Sequence, residues 1–401
     1  MTRARDVANV LSTATALATD TETAAAISSH NSATTSVHGI TNTATLATQT
    51  YADSAVSTHA AAADPHTVYL KESEFNAGGK NFLINGLFDI WQRSTDATSS
   101  ASNGTFYAAA DRWQNWVGTS CNTRYQRISN ADPGVSQYSY RIQRVAGVTT
   151  ATNYQFSQNI ETSMAKLLVG KTVTLSFRVK KGANWSDADG TMSARVAYND
   201  NTDGNVITQA ATTALSNTFT PTTSFATYSV TGTIPSSGVS TLMINFMWEP
   251  TGTAGADDWL EFSAVQLEIG SVATPFSRAG GDISGELAAC QRYYAKSYNI
   301  DTAPATSTGV GQVGWTVVST GANANLFYSK FPVTMRANPT VTIYSPLNGQ
   351  VGTVCNNSIG QNKLTSAIDV GTNGFVFYVT DAPGGAVGYY LGGHYAAQIE
   401  L

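Results

Sequence analysis

The stretch KTVTLSFRVKK, residues 171–181, sets Val173, Leu175, Phe177 and Val179 against Thr, Ser, Arg and Lys at every second position. A two-residue period does not fit a helix face, so this segment reads as a strand with one side buried. TLMINFMWE, from Thr241, reads as a nearly continuous apolar strand, and polar clusters such as NDNTDGN and PSSG separate such runs as turns. Short strands without alternating helices imply an antiparallel sandwich or jelly roll. Composition agrees. Charged residues make up 12% of the chain, about half the usual quarter. A surface covered instead by Thr, Ser, Asn and Gly suits twisted sheets better than long exposed helices.

The 401 residues divide into three segments. From 1 to 75 the chain is rich in Ala, Thr and Ser, and LATDTETAAAISSH is echoed by LATQTYADSAVSTH with a period of about 29 residues (59 − 30 for the matching histidines). Tyr51, Ala55, Val56 and His59 fall at helical spacing, and Pro65 turns Asp64 out of the helical region. Each unit therefore reads as a short helix followed by an extended piece. One unit has too little apolar surface to offset its ordering entropy, and burial against copies of itself would supply the rest. The expected fold class is mainly β, with this short-helix and extended stalk, trimeric, ahead of two antiparallel β-sandwich, jelly-roll-like domains at 76–281 and 282–401. In the third segment a helix of one or two turns is expected between Glu286 and Tyr294, followed by strands such as GWTVVST, PTVTIYSP and GFVFYVT.

Several chemistries are excluded on pattern. The net charge of −5 disfavours a phosphate-binding surface, so nucleic acid is not an expected partner. No run is long and apolar enough for a membrane span or a secretory leader, and synthesis in a cytoplasm is the expectation. Cys121, Cys290 and Cys355 show no metal or disulfide spacing and read as buried thiols. GVGQVG, Gly309 to Gly314, matches a dinucleotide fingerprint in form. Loop-like residues precede it and a strand follows, so the helix that a pyrophosphate needs is missing. Asp187 with Asp189, and Asp257 and Asp258 with Glu261, are the carboxylate clusters a glycosidase would need, and read more simply as solvated turns. His30, His38, His59 and His66 occupy matching places in the repeat. They would cap helix ends, or face a threefold axis as rings able to hold a metal.

NFLINGLFDIWQRS, a downstream ADRW, the closing VQLEIGSVATPFSR and then ELAACQRYY, together with the shaft-like AVSTHAAAADPHTVY, resemble bacteriophage tail-fibre and receptor-binding proteins. The resemblance covers most of the chain and is strongest at about residues 81–116 and 260–295. The middle segment also resembles carbohydrate-binding jelly rolls. What the resemblance implies is a non-catalytic homotrimeric adhesin on the virion. It would be made in the bacterial host cytoplasm, attached to tail or baseplate proteins through its N-terminus, and would meet host surface glycan. The alternatives are a structural fibre or decoration protein with no specific ligand, and a polysaccharide-depolymerising tailspike. No cofactor is expected beyond a structural calcium, which in related jelly rolls ties the first and last strands together; Asn85, Asp89 and Glu268 are its candidate ligands here. Trp91 and Trp113 read as core, with Arg112 pairing with Asp111 or capping a strand end. For the glycan, Tyr389 and Tyr390 in the Gly-rich tip loop are the expected stacking residues, with His394 beside them, Tyr395 at a trimer interface, and Trp185 as a further candidate on an exposed loop.

Overall fold

In the computed structural model, the described residues are 20–32, 49–61, 80–99, 104–107, 109–118, 121–149, 153–209, 211–319, 326–380 and 387–401. The chain forms two compact units, Met1–Lys71 and Glu72–Leu401. In the first unit the described elements are α1 (Asp20–Ser32) and α2 (Gln49–Ala61), one in each copy of the repeat. Residues 21–32 and 50–61 are all solvent-exposed, as expected of helices with too little apolar surface for a core of their own. None of the described helices is long and apolar enough to cross a membrane.

The second unit is built almost wholly of antiparallel strands, and its first part is a sandwich of two six-stranded sheets. One sheet runs, edge to edge, β1 (Asp96–Ser99), β4 (Thr123–Asp132), β5 (Ser136–Arg144), β12 (Trp259–Ile269), β7 (Thr172–Lys181) and β10 (Ala226–Thr233). The other runs β2 (Gly104–Phe106), β3 (Gln114–Val117), β6 (Tyr154–Ile160), β11 (Thr241–Trp248), β8 (Met192–Asn199) and β9 (Thr212–Phe219). The alternation seen in the sequence becomes the packing between them. Val173, Leu175, Phe177 and Val179 of β7 meet Leu242, Ile244, Phe246 and Trp248 of β11 in one core. A one-residue register shift in either strand would turn that set to solvent.

The motif NGLFDIW closes one end of this core. Asn85 takes a left-handed conformation (φ 61°); its side chain accepts from the Ile90 amide at 3.0 Å and donates to the Ile90 carbonyl at 2.8 Å. A Cβ on Gly86 would lie 2.1 Å from the Val265 carbonyl, so only glycine fits where the turn presses on β12. Phe88, Trp91, Trp113, Tyr140 and Phe156 form a continuous aromatic cluster behind it, with ring centroids 4.7–6.0 Å apart. Trp91 and Trp113 are therefore core, as their sequence context implies.

After α3 (Thr162–Ala165) in the sandwich, the only later described helix is α4 (Ile283–Gln291), capped by Asp282, which accepts from the Gly285 amide at 2.8 Å. A second β-body follows, with its own core. Its sheet comprises β13 (Tyr294–Lys296), β14 (Val313–Thr316), β15 (Leu326–Lys330), β16 (Thr340–Tyr344), β17 (Thr353–Asn356), β18 (Gln361–Ile368), β19 (Gly374–Val379) and β20 (Tyr390–Gln398). β20 is the hub, pairing with β13, β14, β16 and β17. GVGQVG leads into β14 rather than a helix. Gly311 has φ 81°, and the Tyr390 hydroxyl occupies the space a Cβ on Gly314 would need.

Candidate functional site

The two sandwich sheets treat their outward faces differently. On the first sheet every polar group in the central row is engaged by a neighbour. Glu261 accepts from Ser139 at 2.6 Å, from Arg141 at 2.8 Å and lies 3.3 Å from Lys180. Arg178 pairs with Asp132 at 2.6 Å, and the Arg141 guanidinium lies 4.2 Å from the Trp259 ring centroid. That face satisfies its own hydrogen-bonding groups.

The second sheet does not. Phe156, Phe246 and Ala194 point into the core, so alternate residues point out. Register then lines up two outward rows. Trp116 faces Gln155, which faces Met247, which faces Ser193. In the next row Gln114 faces Ser157, Ser157 faces Asn245, Asn245 faces Arg195, and Arg195 faces Ser216. Gln114, Ser157 and Asn245 are fully buried. Even so, Gln114 Nε2, Ser157 Oγ, Asn245 Oδ1 and Arg195 Nε find no hydrogen-bond partner among the described residues. Asn245 Nδ2 donates to Gln155 Oε1 at 2.7 Å, and Asn205 Nδ2 to Gln114 Oε1 at 2.9 Å, which fixes how the two amides face. Burial lowers the Arg195 pKa from its ordinary value. At one end Val206 packs over Met243 and Ala197 and closes the face; Trp116, Gln155, Met247, Ser193 and Arg195 are the half-buried part. A half-buried indole beside the half-buried Gln155, Ser193 and Arg195 is suited to a flat, hydroxyl-rich ligand.

The residues singled out in the sequence lie elsewhere. Trp185 is not on an exposed loop: it is only 8% exposed, belongs to the sandwich core, and has Lys181 Nζ 5.2 Å from its ring. Tyr395 packs against Phe331 and Phe375 inside the second core rather than at an outer surface. His394 is buried too, stacked 3.8 Å from Tyr298 and bonded on both ring nitrogens, to Ser297 Oγ and the Thr308 carbonyl, each at 2.9 Å. Tyr389 leans on the second core, whereas Tyr390 stays 40% exposed.

The proposed calcium ligands are not brought together. Asn85 is engaged by the Ile90 backbone, Asp89 pairs with Arg278, and Glu268 is held by Gln266, Thr274 and Lys80. Among the described residues no group of three or more His, Cys, Asp or Glu is placed to hold a metal ion. His30 and His59 lie on the exposed helices α1 and α2, and His38 and His66 fall outside the described residues.

The carboxylate clusters are structural as well. Asp187 accepts from the amides of Asp189, Thr191 and Glu249, Asp258 pairs with Arg144 at 2.8 Å, and Glu261 holds the first sheet together. Arg112 does not pair with Asp111. It binds Glu400 and the Asn159 carbonyl and lies 3.5 Å from the Tyr293 ring, while Asp111 is met by Arg93 and Gln92. Cys121, Cys290 and Cys355 are buried free thiols, as expected.

No family model matches this chain, and no curated protein does. Among solved structures, a CBM4 domain aligns at 18% identity over 46% of this chain and 98% of its own, with a TM-score of 0.28. The Stig cyclase Fisc from Fischerella sp. TAU aligns at 13% over 47% and 96%, also at 0.28. The CBM22-2 xylan-binding domain of Paenibacillus barcinonensis Xyn10C aligns at 13% over 40% and 92%, at 0.25. Likeness at that level, shared by binding modules and a cyclase, decides neither ligand nor chemistry.

Proposed function

We propose that this protein is a non-catalytic adhesin of the phage tail-fibre kind, and that it contacts host surface glycan through the outward face of the second sandwich sheet. The observation that carries the reading is the half-buried Trp116, in register with Gln155, Met247 and Ser193 and beside the unpaired Arg195 on one face. A half-buried guanidinium without a carboxylate is costly, so a sheet face that keeps one beside an indole has a use for it. A saccharide would meet the half-buried Gln155, Ser193 and Arg195 with its hydroxyl groups, and Trp116 offers its ring an apolar face. Homotrimeric assembly through the N-terminal repeat and attachment to the virion by that end complete the reading. They rest on the shaft-like sequence, and on α1 and α2 having little apolar surface of their own. Threefold repetition would turn weak single-site contacts into useful avidity. Tyr390, half exposed at the start of β20, is a second contact candidate on the same polymer.

A glycan array probed with the full-length chain tests the proposal, with Trp116→Ala as the comparison. The variant should lose about tenfold or more in apparent affinity while keeping its near-ultraviolet circular dichroism, since one stacked ring contributes roughly 1 kcal/mol per site and several sites act together. Equal binding by the two proteins would move the contact off this face. A chain that binds no glycan would leave the structural-fibre reading in its place.

A further inference from the structure

We infer that the saccharide is acidic and that Arg195 recognises its anionic group. The inference rests on the glycan reading of the second sheet and adds the ligand's charge. Eleven arginines fall between residues 72 and 401. Ten of them have a carboxylate oxygen within 3.0 Å. Arg195 makes neither an ion pair nor a hydrogen bond to any described residue. A chain this poor in charge has found a counter-ion for every other guanidinium in the unit, including the almost fully buried Arg112 and Arg144.

The face explains why Arg195 has none. The outward positions of β3, β6, β11, β8 and β9 around it are Gln, Trp, Ser, Asn, Met, Ala and Thr, with no Asp or Glu among them. Among these outward positions Arg195 is thus the only formal charge. It is half-buried and directly opposite Asn245, whose Oδ1 is itself unpartnered. A guanidinium partly withdrawn from water without an anion is costly, and one that meets a carboxylate or phosphate there forms two short charged hydrogen bonds. The rest of the molecule does not draw in polyanions, because the net charge is −5; recognition is by contact with a single group rather than by long-range steering. A uronic-type carboxylate and a sugar phosphate share this chemistry.

The test uses the full-length protein and its Arg195→Gln variant on an array pairing uronate-containing oligosaccharides with their methyl esters, and phosphorylated sugars with their unphosphorylated parents. Arms that bind are then titrated calorimetrically at low and high salt. The wild type should prefer the charged member of a pair by about tenfold or more, and whichever pair shows the preference identifies the anionic group. Arg195→Gln should abolish that preference, so that the variant binds the charged and the neutral member of the pair equally. Added salt should weaken only the charged ligand. Equal binding of charged and neutral members, or a variant that keeps the preference, overturns the inference while the glycan face stands. Loss of all binding in Trp116→Ala, with Arg195→Gln indifferent, likewise overturns the inference and leaves the face standing. Failure of the wild type to bind any saccharide overturns the face and this inference together.

Discussion

His394 shows how far a side chain's role can depart from its sequence surroundings. Flanked by glycines and tyrosines near the chain end, it reads as a surface stacking residue, yet it is fully buried against Tyr298. With its ring nitrogens shared between the Ser297 hydroxyl and the Thr308 carbonyl, the Nε2–H tautomer is the one that satisfies both. Desolvation lowers its pKa below the ordinary value, and the bond to the Thr308 carbonyl only partly offsets this. The sign follows from linkage: below the ordinary histidine value the unfolded chain takes up a proton that the folded chain refuses. This contribution is therefore neutral above about pH 6.5 and destabilises increasingly as pH falls below it. Asp111 pulls the other way, because burial pushes its pKa up to about 6 and favours the folded state on acidification. The difference between wild type and His394→Gln isolates the imidazole. Urea unfolding from pH 7.5 to 5 should show that difference shrinking as pH falls; a difference independent of pH would mean that the ring titrates alike in the folded and unfolded states.

At the scale of elements, the strands were the legible part. Val173 to Val179 and the run from Thr241 give their own inward faces, because a buried sheet face imposes a two-residue period that composition cannot hide. The Asn-Gly turn was legible too. The site was not. Gln114, Ser157, Arg195 and Asn245 come from four strands far apart along the chain, and only cross-strand pairing makes them neighbours. Nothing local marks them. Trp185 misled for the opposite reason: NWSDADG has the polarity of an exposed loop, but the indole folds back into the core. The turn at Gly86 carries a sharp expectation of its own. A methyl group there would sit 2.1 Å from the backbone oxygen of Val265, which has no flexible end to move aside. Gly86→Ala should cost upward of about 2 kcal/mol in equilibrium unfolding. A cost within about 0.5 kcal/mol would show that the turn can slide along β12.

Over the whole second unit, a seam of charge joins the two cores. Glu400, just past β20, meets Arg112 and lies 2.8 Å from Arg93 of the sandwich, and Arg93 is also 3.6 Å from Asp111. Both guanidinium groups also lie over tyrosine rings that follow α4, Arg93 at 3.8 Å from Tyr294 and Arg112 at 3.5 Å from Tyr293. Lys296 of β13 reaches across to the Gln92 carbonyl at 2.5 Å, and withdrawal from water lowers its pKa to about 8. The charged side chains of Arg93, Arg112 and Glu400 are at most 9% exposed, so the seam should respond strongly to losing one charge and weakly to losing a matched pair. Glu400→Gln keeps the shape but leaves Arg112 with no carboxylate; it should destabilise by about 3–5 kcal/mol, the usual cost of stranding a buried ion. Arg112→Met combined with Glu400→Leu removes both charges and should recover most of that loss. Chemical denaturation of the three proteins decides the matter. If the single variant unfolds within about 1 kcal/mol of wild type, the ion pair does not hold the two β-bodies together. If the double variant is no better than the single, the seam depends on the shape of these side chains and not on their charge.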